Sequence, residues 1–372
     1  MSKKNNKNSK ETKKKGLSTN AKWGIALLVE VIVLVVMVIG YFHFWIDSKY
    51  EKVQILEIER EDLAINEGAN EVQKGYTNIA LFGLDARDTS LGAGNRSDAI
   101  MVLSINNDTK EVRIVSIYRD TLLEIEDGSG VTAKVNAAYA YGGPELAIKT
   151  LNANLDLEIT EFIAVNWKAL TLAIDELGGV TVSVEQNELT SLNMSITEQL
   201  QSIGGYSEGV FETGDLKLNG TQAVAYARIR STDQGDITRT ERQREVLSAM
   251  VDEALKSDMK TINNIIDEVF PYIYTSITKD EMYDLAKALF DYEMTDTAGF
   301  PFSYTIPNHA TKGSIIVATD LESNVAALHY FLYGTQNYQP TQNVVDISGS
   351  IVSEVGQPWQ EIDYSTIPTP KK

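Results

Sequence analysis

Residues 24–45, GIALLVEVIVLVVMVIGYFHFW, form an unbroken 22-residue apolar run with Glu30 as its single acid. As a helix this run rises about 33 Å, enough to cross the hydrocarbon core of a bilayer. Trp23 stands at one end and Tyr41, Phe42, Phe44 and Trp45 at the other, the placement of interfacial aromatic belts. A cleaved signal peptide is the alternative, but the run is too long for one and no small-residue cleavage site follows it. The sequence therefore predicts an uncleaved membrane helix over 23–45. Glu30 must be protonated, paired or close enough to one end to reach the interface.

The charge of the chain is split around this run. Eight of the 33 basic residues and one of the 52 acids precede residue 23, which leaves 25 bases against 51 acids, or −26, in the remainder. Residues 1–22 are rich in Lys, Asn and Ser with no apolar period and read as a disordered basic tail. Positive flanks stay in the cytoplasm, so the acidic body is expected outside the membrane. A body this acidic argues against nucleic-acid binding. The absence of cysteine excludes disulfides, thiolate metal sites and cysteine nucleophiles. With His43, His309 and His329 as the only histidines, little remains for a zinc site or a Ser-His-Asp hydrolase.

Beyond the run, residues 46–76 are highly charged and read as a stalk. Apolar or alternating runs rich in Val and Ile then predict strands at 78–84, 99–105 and 111–117, with a hairpin turn at Asn106, Asn107 and Asp108. A helix is expected at 144–155, a strand at 161–166, a helix at 167–177 stopped by Gly178 and Gly179, and a strand at 180–184. Residues 185–217 read as a polar excursion containing a hairpin or lid. Helices follow at 221–230, 238–255, 260–270, 279–290 and 320–333, with a strand near 300–306. Residues 335–372 hold four of the eight prolines and read as an irregular tail. Strands alternating with helices predict an α/β fold, a mixed central sheet flanked by helices, with ligands at the carboxyl ends of strands.

Nine of the ten arginines fall within 87–119 and 228–244. Arg presents a planar, permanently charged fork matched to phosphate oxygens. In so acidic a body, clustering at strand ends predicts that the two windows meet around a phosphate or pyrophosphate. Pairing with surface carboxylates is the alternative. Thr238 and Glu241 have capping-box spacing, so the helix should begin just before Arg239, with Arg239, Arg242 and Gln243 in its first turns. Asp85 follows one predicted strand and Asp98 precedes the next. If the strands are neighbours, both carboxylates reach one sheet edge, where they suit Mg²⁺, with Mn²⁺ as a substitute, completed by phosphate oxygens and water. Taken alone, they would read as turn-stabilising aspartates. No P-loop occurs, which argues against a nucleotide-driven kinase.

The ordered set LFGLDAR (81–87), NRSDAIMVLSI (95–105), VSIYRDT (115–121), KVNAAYAYGG (134–143), YARIR (226–230) and GDITRTERQREVL (235–247), closed by DLESNVAALHYFLYG (320–334), resembles the LytR-CpsA-Psr family. The resemblance covers 77–334 and implies an extracellular phosphotransferase domain held by one membrane helix, as in Gram-positive bacteria. It implies transfer of a glycopolymer from a polyprenyl-pyrophosphate carrier to peptidoglycan. By the same resemblance Asp85 and Asp98 hold Mg²⁺, while Arg96, Arg119, Arg228, Arg230, Arg239 and Gln243 grip the pyrophosphate. Arg87, Lys134, Asn136 and Asp236 belong to the shared motifs. The catalytic set is Asp98, Arg119, Arg96 and Asp236, with Asp98, Asp236 or the substrate phosphate as general base. Tyr118 stands where the family usually has proline, and altered loop stiffness is expected there. The prenyl tail is expected in an apolar groove lined from 161–166 and 137–143. A pyrophosphatase using water, a non-catalytic surface-binding module and a regulatory protein are the other readings. The last is weakened by a cytoplasmic tail too short for a helix-turn-helix.

Overall fold

The computed structural model describes residues 44–86, 90–230, 236–288, 291–356 and 362–370. The basic tail, nearly all of the expected membrane helix and Arg87 lie outside them. Among the described residues no helix is long and apolar enough to cross a membrane. The chain divides into two units, Met1–Ser48 and Lys49–Lys372, and the second carries every element below.

Its strands and helices run in the order β1 (Gln54–Ile55), β2 (Tyr76–Leu84), β3 (Ser97–Asn106), β4 (Glu111–Ile117), β5 (Leu122–Glu124), β6 (Thr132–Lys134), α1 (Asn136–Leu155), β7 (Ile159–Asn166), α2 (Trp167–Glu176), β8 (Val180–Val184), α3 (Leu189–Ile203), β9 (Gly214–Leu218), α4 (Gly220–Ala227), α5 (Asp236–Lys256), α6 (Met259–Val269), β10 (Ile273–Thr275), α7 (Lys279–Lys287) and β11 (Glu293–Phe300). Four two-residue strands between Tyr304 and Ala318 precede α8 (Leu321–Tyr333) and α9 (Gln342–Val355).

Seven strands form the central sheet in the order β1-β10-β7-β2-β3-β4-β11. β2 is antiparallel to β3 and parallel to β7, so the sheet is mixed, as expected. The period-two alternation of strands explains its two faces. Ala80, Phe82 and Leu84 of β2 join the large core formed with α1 and α8, whereas Ile79 and Leu81 face a smaller cluster on the opposite side. Both faces are covered, which is why β4 is buried at every position.

Four expectations are corrected. The segment read as a stalk supplies β1 and places Leu63, Ala69 and Gln73 in the buried interior. The tail read as irregular contains α9, whose Val344, Ile347 and Ile351 pack into the main core. The polar excursion is a helix, α3, followed by β9, which pairs antiparallel with β8. The helix expected at 144–155 begins at Asn136 and is interrupted at Gly142 and Gly143.

Candidate functional site

β2 and β3 are neighbours with Leu84 paired to Ser97, so Asp85 and Asp98 emerge at one sheet edge, as their spacing required. The second arginine window comes back to that edge. α4, fixed at its start by the Asn219–Gln222 capping box, ends at Ala227 and releases Arg228, Ile229 and Arg230 beyond its last turn. α5 begins by Asp236, so Thr238 lies inside the helix and not at its cap, a correction to the expected start.

Asp98 is the hub. One carboxylate oxygen pairs with Arg119, the other with Arg230 at 3.2 Å, and its backbone carbonyl accepts from Arg239 Nη2 at 3.1 Å. Asp236 sits behind the arginines, with Oδ1 2.7 Å from Arg239 Nη2 and 3.0 Å from Arg119 Nε. The loop after Arg119 is held by the Asn136 amide, which donates to the Arg119 carbonyl at 3.2 Å, and by Lys134, whose Nζ lies 2.9 Å from Asp120. Arg228 reaches Asp85 at 3.9 Å and lies over the Trp167 ring. Guanidinium groups from distant parts of the chain thus gather with Asp85, Asp98 and Asp236.

Burial shapes the electrostatics. It pulls the Arg239 guanidinium down to about 10 despite the nearby Asp236, because the surrounding protein desolvates its charge. Burial likewise raises Asp236 against the pull of Arg239 and Arg119. For Arg119 burial acts downward, but the Asp236, Asp98 and Asp120 carboxylates outweigh it and the net shift is upward. Arg239 Nε and Nη1 and both amide heteroatoms of Gln243 are buried with no protein hydrogen-bond partner. Unmade hydrogen bonds of this kind are costly and concentrate where a polar ligand is received.

Two cavities meet at Trp167. One, of about 430 Å³, is lined by Asp85, Asp98, Arg228, Arg230 and Arg239, with Ser191, Met194, Ser195 and Glu198 of α3 as its other wall. The second, of about 250 Å³, is almost entirely apolar and lies between the sheet and helices α2 and α5. Its space comes from small residues: Gly83 and Ala99 are cross-strand partners, and a Cβ on Gly83 would stand 2.9 Å from the Ala99 Cβ. Ile163 and Val165 line it, in keeping with the expectation for 161–166, while 137–143 contribute nothing to its described lining. Gln243 looks into this apolar cavity from the same helix that carries Arg239.

Not every arginine serves the cavity. Arg96 is exposed and outside the described lining, and Arg119, paired with Asp98 and Asp236, is outside that lining as well. Arg113 is a core residue bound to Glu111, Asp296 and the carbonyls of Phe331 and Pro368. Arg242 donates from Nε to Glu188 at 2.6 Å and from Nη1 to the Ile229 carbonyl, tying the residue before α3 to the arginine loop. Glu198 and the serines of α3 were not singled out from the sequence; their i, i+4, i+7 spacing was the available signal.

Asp85 and Asp98 fit a divalent cation in part. They line one cavity, and Asp85 is half-exposed with one distant partner. Among the described residues no three acids or histidines cluster as metal ligands, so the remaining donors would have to be phosphate oxygens and water.

A model described as the LytR_cpsA_psr family matches residues 42–328. A protein of Oceanobacillus iheyensis named polyisoprenyl-teichoic acid--peptidoglycan teichoic acid transferase TagU is 35% identical over 221 residues, 57% of this chain and 62% of that protein. The chain thus spans less than two thirds of that relative. The Bacillus subtilis (strain 168) protein of the same name is 28% identical over 270 residues, 70% of this chain and 80% of its own. The crystal structure of protein gbs0355 from Streptococcus agalactiae superposes with a TM-score of 0.61 at 24% identity, covering 75% of this chain and 94% of that one. TagT bound to LI-WTA gives 0.54 at 22% identity, covering 82% and 99%. At these identities the structural likeness establishes a shared fold.

Proposed function

The chain belongs to the LytR-CpsA-Psr family, and from that premise we propose that it is a phosphotransferase that moves a glycopolymer from a polyprenyl-pyrophosphate carrier to peptidoglycan. The observation that carries this reading is the meeting at Trp167 of a cavity walled by Asp98, Arg228, Arg230 and Arg239 with an apolar cavity behind it. A charged head joined to a prenyl tail needs those two environments side by side. The names of the TagU relatives support the same substrate class.

In this reading Arg119, Arg228, Arg230 and Arg239 bind the pyrophosphate oxygens, and Gln243 satisfies its buried amide on the phosphate next to the tail. Asp236 orients Arg119 and Arg239 from behind. An acceptor sugar hydroxyl attacks the phosphorus bearing the glycopolymer. The new P–O bond forms as the bond to the bridging oxygen breaks, and polyprenyl phosphate leaves with the electron pair. Asp98, which reaches the cavity wall as Asp236 does not, takes the hydroxyl proton. The arginines stabilise charge developing on the phosphoryl oxygens. Mg²⁺ held by Asp85 and Asp98 would add to that neutralisation. The reading places the domain outside the cell membrane, anchored by residues 23–45, on the support of the apolar run and its lysine-rich flank.

The test supplies the full chain in detergent with a prenyl-pyrophosphate-linked glycan, peptidoglycan fragments and Mg²⁺. Glycan transfer is expected from the wild type and is lost in Asp98→Ala and Arg119→Ala with folding intact. Full activity in both variants would remove the reading.

A further inference from the structure

We infer that the α3 wall of the charged cavity is the subsite for the acceptor glycan, with Glu198 binding its sugar hydroxyls, an inference that rests on the transferase reading. α3 supplies Ser191, Met194, Ser195 and Glu198 to the cavity whose other lining includes Arg228, Arg230 and Arg239. A second, open cavity of about 510 Å³ lies along the same helix, lined by Thr190, Asn193, Met194, Thr197 and Glu198. Met194 and Glu198 line both, so they form the ridge between the two. The helix differs in composition from the rest of the chain. Glu198 is the single charge among its 15 residues, in a chain that is 23% charged. Its other contributions to the two linings are hydroxyl, amide and thioether groups. The hydroxyls and amides can exchange hydrogen bonds with sugar hydroxyls. Met194, 61% exposed, offers an apolar surface to the face of a sugar ring.

The wall is preformed. Leu192 and Ile196 are buried in the core cluster beneath it. The Gln199 amide donates to the Thr171 hydroxyl at 3.3 Å. Asn193 donates to the Val210 carbonyl at 2.7 Å and accepts from the Val210 amide at 2.9 Å. A surface fixed in this way loses little freedom when it binds. Glu198 is exposed and, among the described residues, has no hydrogen bond or ion pair. The other reactants already have their surfaces: the pyrophosphate has the arginines, and the prenyl tail has the apolar cavity beyond Trp167. A carboxylate repels phosphate, so this wall holds neither the pyrophosphate nor a phosphate-rich glycopolymer. It can accept hydrogen bonds from the hydroxyls of an uncharged ring, and the acceptor sugar is the reactant of that kind.

The experiment uses the full chain in detergent, with the prenyl-pyrophosphate-linked glycan as donor and an N-acetylglucosaminyl-N-acetylmuramyl peptide as acceptor. Transfer kinetics are measured beside calorimetry of the acceptor, with farnesyl pyrophosphate present, and of farnesyl pyrophosphate alone. Glu198→Ala is expected to raise the acceptor KM about tenfold and to weaken acceptor binding equally, the worth of hydrogen bonds to one charged group. The donor KM, the affinity for farnesyl pyrophosphate and the thermal midpoint should not change. Glu198→Gln keeps a carbonyl acceptor and should raise the acceptor KM only about threefold. An unchanged acceptor KM in Glu198→Ala, a rise in the donor KM in its place, or a fall in kcat alone would each overturn the subsite, as would a wild type that does not bind the acceptor. A wild type that transfers no glycan, yet binds the acceptor and loses that binding in Glu198→Ala, would refute the transferase reading and leave the subsite standing.

Discussion

Arg239 and Asp98, 141 residues apart in the chain, meet where the arginine Nη2 donates to the aspartate backbone carbonyl at 3.1 Å. The bond needs no particular side chain at position 98, so the guanidinium is aimed by the sheet backbone while its Nε and Nη1 stay available to a ligand. Arg239→Lys should therefore lower kcat/KM for transfer about a hundredfold, about 3 kcal/mol, because an ammonium keeps the charge and loses the fork. Steady-state kinetics with the lipid-linked donor check this.

The apolar cavity gives a separable prediction. Ala173→Phe on α2 fills space between the sheet and α5. Affinity for farnesol and farnesyl pyrophosphate should fall at least tenfold while inorganic pyrophosphate binds as before. Equal losses for all three would mean that the substitution disturbed the charged site.

Arg242 and Glu188 form a buried pair, with side chains 7% and 5% exposed, 2.6 Å apart. Arg242→Ala should destabilise the fold by about 3–5 kcal/mol, since it strands a buried carboxylate. Replacing both, Arg242→Met with Glu188→Leu, should recover most of the loss in a denaturant titration.

His329 is fully buried, stacked on Tyr338 at 3.8 Å, with Nε2 3.1 Å from the Leu155 carbonyl. Burial pulls its pKa down from 6.5 to about 4. The unfolded chain then binds the proton first as pH falls, so stability declines from about pH 6.5 and levels below about pH 4. The loss amounts to about 3 kcal/mol. Denaturant midpoints from pH 7 to 4 should fall less steeply in His329→Phe.

The proposed Mg²⁺ site at Asp85 and Asp98 carries its own test. Chelation should reduce transfer, and Asp85→Asn should raise the Mg²⁺ concentration for half-maximal rate severalfold with little effect on stability, since Asp85 is half-exposed. A metal-independent wild type would remove the cation from the proposal.

Periodicity alone located β2, β3 and β4, because apolar or alternating runs of this length have one way to bury two faces of a sheet. It also located α2, closed by Gly178 and Gly179 as expected. α9 was equally legible in the spacing of Val344, Ile347 and Ile351, but the nearby prolines obscured it. The charged segment after residue 45 hid Leu63 and Ala69, two isolated apolar residues whose burial depends on partners remote in sequence.

The sequence determined by itself that arginines would be concentrated at strand and helix ends beside two aspartates, since residue type and spacing are local. Which arginines face a ligand was decided by tertiary structure alone. Arg113 and Arg242 share the windows of Arg119 and Arg239, yet their charges are spent on Glu111, Asp296 and Glu188. The reason is geometric: a guanidinium turns inward or outward with the face of the strand or helix that carries it, and those faces are fixed only when the sheet closes against its helices.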